Sequence, residues 1–390
     1  MNDEAAYFNA LSDALADAHY HHPTLVIDLE RLNGNLALAK AVLPAGLGMR
    51  IVDKSLPSLP LIRHIMEALG TRKIMSFHLP LTLQVLDAFP DADILFGKPM
   101  PVAAVEHGLK SLASEKRQRL ISQTVWLIDT PERLKQYGQV AQEAGVRLKI
   151  AFEVDCGMHR GGFANAEALA AVLPLLAEYS ALTCKGIMGY EAHIPQIPTL
   201  FGGPEKEQAS AQQRLASFAA VLPPQMREII NTGGSKTSLT YSAKGPANEV
   251  SMGSGFLMPT DFEVDALQAL KPAVFIATPV LKVLDTQLPG PPFVTRLMQA
   301  LGLFPRRGCF IYGGKWYADP VWPPDMRENK LWGSSSNQQL MALASDSRLK
   351  ADDFVFFRPT QSEAVLQYFG PLALYADQRI ESEWSTITAG

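Results

Sequence analysis

Cysteine is scarce in this chain of 390 residues: there are three, Cys156, Cys184 and Cys309, far apart in sequence. No CxxC pair exists, which argues against a thiolate zinc site. A disulfide framework is equally unsupported, and the usage suits a reducing cytoplasm. Long apolar runs are missing too: nothing approaches the roughly 20 apolar residues that cross a bilayer. The opening "MNDEAAYFNALSDALADAHYHH" is acidic and lacks the apolar core of a signal peptide. An excess of basic residues is absent as well, with Lys+Arg 35 against Asp+Glu 39 and a net charge of −4. That balance leaves no electrostatic footprint for nucleic acid. No GxGxxG follows the first strand and no GxxxxGK[ST] occurs, so the two commonest nucleotide loops are excluded. The expectation is a cytoplasmic protein with no membrane and no nucleic-acid partner.

What the chain has is a rhythm. Short β-branched or apolar runs alternate with longer amphipathic ones. "GMRIVD" (48–53), "KIMSF" (73–77), "DILFG" (93–97), "VWLID" (125–129), "RLKIAFEVD" (147–155), "LTCKGIMGY" (182–190), "EIINTGG" (228–234) and "NEVSMGSGFLM" (248–258) are the strand candidates. Strand-then-helix alternation builds parallel sheets. Eight strands over some 250 residues suit a closed (β/α)8 barrel of the TIM type, with "TLVIDL" (24–29) as a lead-in. After about residue 270 the helices thin out. "AVFIATPVLKVLD", "GCFIYGGKWYADPVW", "DDFVFFRPTQ" and "AVLQYFGPLALYA" read as strands. The expected organisation is an α/β barrel over 22–265 and a second, β-rich C-terminal domain made of 1–21 plus 266–390.

Active sites of such barrels lie at the C-terminal ends of the strands, which directs attention to a few positions. Lys54 ends the first barrel strand, and Pro57 stops that strand from continuing. A lysine among apolar residues can serve as an amine nucleophile towards an aldehyde, or it can reach past the rim to solvent; position alone leaves both open. In "FEVDCGMHRGGF" (152–163), Arg160 sits beside two glycines after a strand ending in Asp155. A permanently charged guanidinium there can hold a phenolate or carboxylate. "NTGGSKTS" (231–238) offers backbone N–H groups and small hydroxyls that can wrap a phosphate. Tyr190 and His193 in "GYEAHI" follow another strand end and can contact a ring or carry protons. Glu249 opens the last strand beside Asn248.

Taken in order, these stretches resemble the fold-type III pyridoxal-phosphate enzymes. Within them the chain is similar to the D-threonine aldolase/D-serine dehydratase group related to alanine racemase. "HPTLVIDLERLNGNL", "MRIVDKS", "EVDCGMHRGGF", "GIMGYEAH", "NTGGSKT", "NEVSMGSGF" and "YGGKWYADP" carry the likeness along nearly the whole chain. The resemblance implies pyridoxal 5′-phosphate as cofactor, with Lys54 forming its Schiff base and serving as a base at the substrate Cα. It implies Arg160 near the phenolic oxygen, Tyr190 lining the cofactor site, and Gly233, Gly234, Ser235 and Thr237 around the phosphate. A small amino acid would be the substrate and a homodimer the assembly.

Three departures shape the functional expectation. Aldolases and dehydratases of the group carry a divalent metal on a histidine near the C-terminus, whereas here the last histidine is His193; no metal is expected. Val52 and Leu56 stand where the group has more histidine, and Gly255 where it often has tyrosine. Without that Lewis acid, work at a β-hydroxyl falls to another group, for which His193 is the candidate catalytic acid/base. The expected activity is a lyase, an aldolase or dehydratase, acting on a β-hydroxy D-amino acid. The alternative is an amino-acid racemase or epimerase pairing Lys54 with a second-domain acid such as Tyr312, Tyr317 or Tyr375.

Overall fold

The computed structural model describes residues 2–242 and 245–387. The chain opens with α1 (Asn2–Asp17), β1 (Thr24–Asp28) and α2 (Leu29–Val42). Eight strands follow: β2 (Gly48–Val52), β3 (Lys73–Ser76), β4 (Asp93–Phe96), β5 (Thr124–Ile128), β6 (Leu148–Val154), β7 (Leu182–Gly189), β8 (Ile229–Thr232) and β9 (Glu249–Met252). They close into a parallel barrel in sequence order, with β9 pairing back on β2 through Gly48↔Glu249 to Ile51↔Met252. The strands β5, β8 and β9 are buried along their whole length, because helices cover one face and barrel side chains the other. The crossovers are α3 (Leu59–Leu69), α4 (Leu79–Ala88), α5 (Val102–Ser111) with α6 (Ser114–Gln123), α7 (Pro131–Glu143), α8 (Ala166–Ala177) and α9 (Gly203–Val221).

Local chemistry explains their limits. Ser58 caps α3, its hydroxyl accepting from the Leu61 N–H, and Pro60 sits in the first turn, where no N–H is needed. Gly70 ends the same helix in the left-handed conformation. Leu61, Ile62, Ile65 and Met66 form its buried stripe. Thr130 with Pro131 starts α7 and Asn165 starts α8 by the same capping logic. Between β8 and β9 the described residues make only short turns, and that connection carries the glycine-rich loop.

The base of the barrel is held by charge. Arg50, fully buried on β2, donates to both Glu249 oxygens at 2.8 and 2.9 Å and reaches the Asp93 carbonyl at 2.8 Å. Lys73 adds a bond of 2.6 Å to Glu249, and Asn231 another of 3.1 Å. Burial opposes ionisation of Glu249, yet Arg50 and Lys73 hold its carboxyl below the usual range. Glu249, a candidate in the sequence, therefore belongs to the structural end of the barrel.

The remaining strands form a separate sheet: β10 (Val274–Asp285), β11 (Arg307–Tyr312), β12 (Ala318–Trp322), β13 (Arg327–Glu328), β14 (Gln338–Leu343), β15 (Phe354–Pro359), β16 (Leu372–Ala376) and β17 (Arg379–Trp384), with α10 (Pro292–Ala300) between β10 and β11. The order β13-β14-β11-β10-β1-β16-β17 is antiparallel except at β1–β16, and β15 joins β10 to β12. Phe8, Leu11 and Leu15 of α1 pack on Val26, Phe275, Phe356 and Tyr375 in its core. Among the described residues, the two compact units are 2–34, 257–263 and 271–386 for the sheet, and 35–256, 264–270 and 387 for the barrel. The sequence boundaries at 22 and 265 thus differ from the observed ones. Residues 22–34 go with the sheet because β1 is hydrogen-bonded between β10 and β16.

Candidate active site

At the C-terminal end of β2 the chain turns through one short 3-10 turn, Asp53–Ser55, closed by a Leu56 N–H to Asp53 carbonyl bond of 2.9 Å. Lys54 stands on this turn, half-buried. Its Nζ lies 5.2 Å from the centre of the Phe77 ring, within cation–π reach. Phe77 can lie there because residue 97 has no side chain; a Cβ on Gly97 would come within 2.3 Å of that ring. Asp53 beside it is fully buried. The Ser76 hydroxyl and the Lys54 N–H face its carboxyl, but neither oxygen has a hydrogen-bond partner of normal geometry. Burial pushes that carboxyl up to about 7.

The strand beside β2 in the barrel, β9, runs into a turn whose N–H groups converge on one oxygen. The Gly253 and Gly255 N–H groups both point at the Ser235 hydroxyl oxygen, at 3.2 and 3.0 Å. N–H groups converging on one oxygen are the arrangement that suits a phosphate. A Cβ on Gly253 would lie 2.9 Å from Val52 and 3.0 Å from Ser55, so this turn abuts the one that carries Lys54. Gly233, at φ +82°, reverses the chain after β8, in a region that favours glycine. Next to it, the Tyr190 ring rests on Gly234, where a Cβ would approach within 2.7 Å.

Arg160 also meets the Tyr190 ring, its guanidinium 4.7 Å from the ring centre. The loop that presents it is built by Asp155. One carboxylate oxygen accepts from the Gly157 and His159 N–H groups at 2.8 and 3.0 Å, and the other meets His159 Nδ1 at 2.7 Å. Burial works against ionisation of Asp155, but these bonds bring its carboxyl below the ordinary range. Glu153, at the end of β6, shares the neighbourhood. Burial and the Asp129 carboxylate raise its pKa while Arg160 opposes the rise.

Glu191 organises the glycine-rich loop from behind. Fully buried, it accepts from Thr232 at 2.7 Å, Thr237 at 3.0 Å and Tyr241 at 2.8 Å. The Thr237 oxygen in turn accepts from the Gly234 N–H at 3.2 Å. The hydroxyl proton of Thr237, expected in the sequence among the phosphate ligands, is thus directed at Glu191. His193 also takes an unexpected partner. Its Nε2 is 3.3 Å from Glu207, which Arg214 also binds at 3.0 Å, while Nδ1 is buried with no partner among the described residues. Burial opposes ionisation of Glu207, but His193 and Arg214 keep its carboxyl below the usual range. Among the described residues, no group of three or more His, Cys, Asp or Glu is placed to hold a metal ion, and no helix is long and apolar enough to cross a membrane.

The model of the alanine racemase N-terminal domain matches residues 27–260, well over half of the chain. The chain belongs to that family. A curated relative, 3-hydroxy-D-aspartate aldolase of Paracoccus denitrificans (strain Pd 1222), is 28% identical over 136 residues, and the match spans 35% of each protein. Among solved structures, D-threo-3-hydroxyaspartate dehydratase from Delftia sp. HT23 superposes with a TM-score of 0.74 at 17% identity, over 95% of this chain and 99% of that one. D-threonine aldolase from Filomicrobium marinum gives 0.71 at 15% identity, over 94% and 95%. Alanine racemase from Clostridium difficile 630 in complex with cycloserine gives 0.66 at 13% identity, over 93% and 98%. These structures share the fold: a parallel eight-stranded barrel with a second, mostly antiparallel sheet.

For this member of the alanine racemase N-terminal domain family, the structure brings Arg160, Tyr190 and Gly234 together and sets Ser235 against the β9 end beside the Lys54 turn. His193 is joined to α9 through Glu207. The sequence reading passed over Phe77, Gly97, Asp53, Glu153 and Glu191. Position after a strand flagged Glu191 as much as Tyr190. Nothing in the sequence distinguished Gly97 or Phe77, whose roles depend on a contact between neighbouring strand ends.

Proposed function

We propose that this chain is a pyridoxal-phosphate enzyme acting on a D-amino acid, with a β-hydroxy D-amino acid as substrate class and a lyase reaction, aldol cleavage or dehydration. What carries the reading is one juxtaposition: the amine of Lys54 on a turn that touches the Gly253–Gly255 N–H cradle. An amine and an anion nest at adjoining strand ends match the two ends of a phosphorylated aldehyde. Family membership supports it, as do the printed activities of the aldolase and dehydratase relatives.

The residues divide the work. Lys54 would hold the cofactor through Nζ and, with that amine free, would take the proton from the substrate Cα. The Gly253 and Gly255 N–H groups and Ser235 hold the phosphate, with Gly233 and Gly234 shaping the loop. Arg160 supplies a fixed positive charge for the phenolic oxygen, and Tyr190 supports the ring. Pyridoxal phosphate, when bound, supplies the electron sink for negative charge at Cα. His193 is the proposed proton carrier at the β-hydroxyl: with Nε2 donating to Glu207, Nδ1 keeps its lone pair. The active form in this proposal is a homodimer in the cytoplasm. A racemase reading stays in play because the family model is that of alanine racemase.

Purified protein should be yellow, and borohydride should abolish that absorbance and leave a pyridoxyl mass on the peptide containing Lys54. A Lys54→Ala protein carrying the same reducible adduct on another lysine would refute the assignment. Incubation with D-threonine, D-serine and D-alanine in deuterated water separates the two activities. Aldehyde or keto acid marks a lyase; Cα deuteration with loss of optical rotation marks a racemase.

A further inference from the structure

The sheet unit holds a feature that the proposed chemistry does not use: a cleft of about 850 Å³ lined by Asp285, Thr286, Arg296, Gln299, Arg306 and Arg307, among others. Three segments converge on it. Asp285 ends β10, Arg307 opens β11 with Arg306 just before it, and Arg296 comes from α10. Cross-strand pairing of Asp285 with Arg307 sets the register. The cleft thus gathers three guanidinium groups and one carboxylate in a chain whose net charge is −4. Among the described residues, none of the three arginines forms an ion pair. The Arg307 Nε is buried and lacks an acceptor. A buried donor without a partner is uncommon and destabilising.

The walls are held in place. Gln299 Nε2 bridges the Thr286 and Pro305 carbonyls at 3.0 and 3.2 Å, and the Thr295 hydroxyl accepts from the Leu288 N–H at 3.0 Å. A site whose frame is already ordered loses little entropy on binding. We infer that this cleft binds a small anion carrying two or three phosphate or carboxylate groups. Planar guanidinium forks engage such groups in pairs, and Asp285 offsets one of the three charges, leaving two to be matched. The missing acceptor for Arg307 would be an oxygen of the ligand.

The test is isothermal titration of the intact protein, saturated with pyridoxal phosphate so that any phosphate nest in the barrel is filled, with pyrophosphate and separately with citrate. Saturable binding that weakens at least about tenfold in Arg307→Gln and in Arg306→Gln is expected; such a loss corresponds to about 1.4 kcal/mol. Arg306 is exposed, so its variant covers the case in which Arg307→Gln fails to fold. Arg379→Gln, on the edge strand β17, should bind as wild type. Response to pyrophosphate alone or citrate alone would identify which of the two acid groups is preferred. Absence of saturable binding for both anions up to millimolar concentration, or equal binding by wild type and both cleft variants, would overturn the inference. Neither result depends on whether Lys54 carries a cofactor.

Discussion

Replacing Asp53 by asparagine should change how stability depends on pH. The carboxyl is fully buried and its pKa is lifted from 3.8 to about 7, chiefly by loss of hydration. Between those two values the folded chain holds a proton that the unfolded chain has released. Stability from this group is therefore fully present below the unfolded pKa and declines as pH rises towards 7. The full span is about three pH units, worth roughly 4 kcal/mol at about 1.4 kcal/mol per unit. Between pH 5 and pH 8 roughly two units remain, or about 3 kcal/mol. Asparagine cannot ionise, so the variant should gain about that much on wild type across the same range, whatever constant offset its amide introduces. Urea unfolding at half-unit intervals, read as the difference between the two proteins, cancels the titrations they share. A difference that stays flat from pH 5 to pH 8 would show that Asp53 ionises normally and that its burial carries no penalty.

Other predictions follow from the same geometry. Glu191→Gln keeps the shape but removes the charge that orders three hydroxyls, and cofactor affinity of the apoprotein should fall about tenfold, measured by absorbance titration. Gly253→Ala places a methyl against Val52 and Ser55; the protein should fold, by far-ultraviolet circular dichroism, yet bind pyridoxal phosphate poorly. Wild-type affinity would argue that the cradle lies elsewhere. Glu249→Ala leaves Arg50 buried without its main counter-charge and should lower barrel stability by about 3–5 kcal/mol, with unchanged cofactor absorbance in whatever fraction folds.

The architecture was legible because it rests on local periodicity. Each of the eight barrel strands coincides with an apolar run that ends in turn residues, and capping signals such as Ser58, Thr130 and Asn165 mark helix starts. "TLVIDL" was set apart from the eight barrel strands yet kept within the barrel domain, because its pairing in the sheet was not readable. Pairing of β1 between β10 and β16 joins residues some 250 and 350 positions apart. The site was partly legible for a related reason. Barrel topology places strand-end residues at one mouth, so position made Lys54, Arg160, Tyr190 and the 233–235 loop candidates, while their expected roles came from the family resemblance. What each side chain faces was not. Thr237 and Ser235 are both small hydroxyls on one loop, yet one turns to a buried carboxylate and the other collects two N–H groups.

Order along the chain determined the fold class and the set of strand ends, since hydrogen-bonding period and apolar pattern act over a few residues. Only the folded chain decided that Gly97 makes room for Phe77 beside Lys54, that Gly253 presses on the Lys54 turn, and that Asp53 is cut off from water. Those outcomes depend on distances between separate strand ends, and proximity in space is set by closure of the barrel rather than by neighbours in sequence.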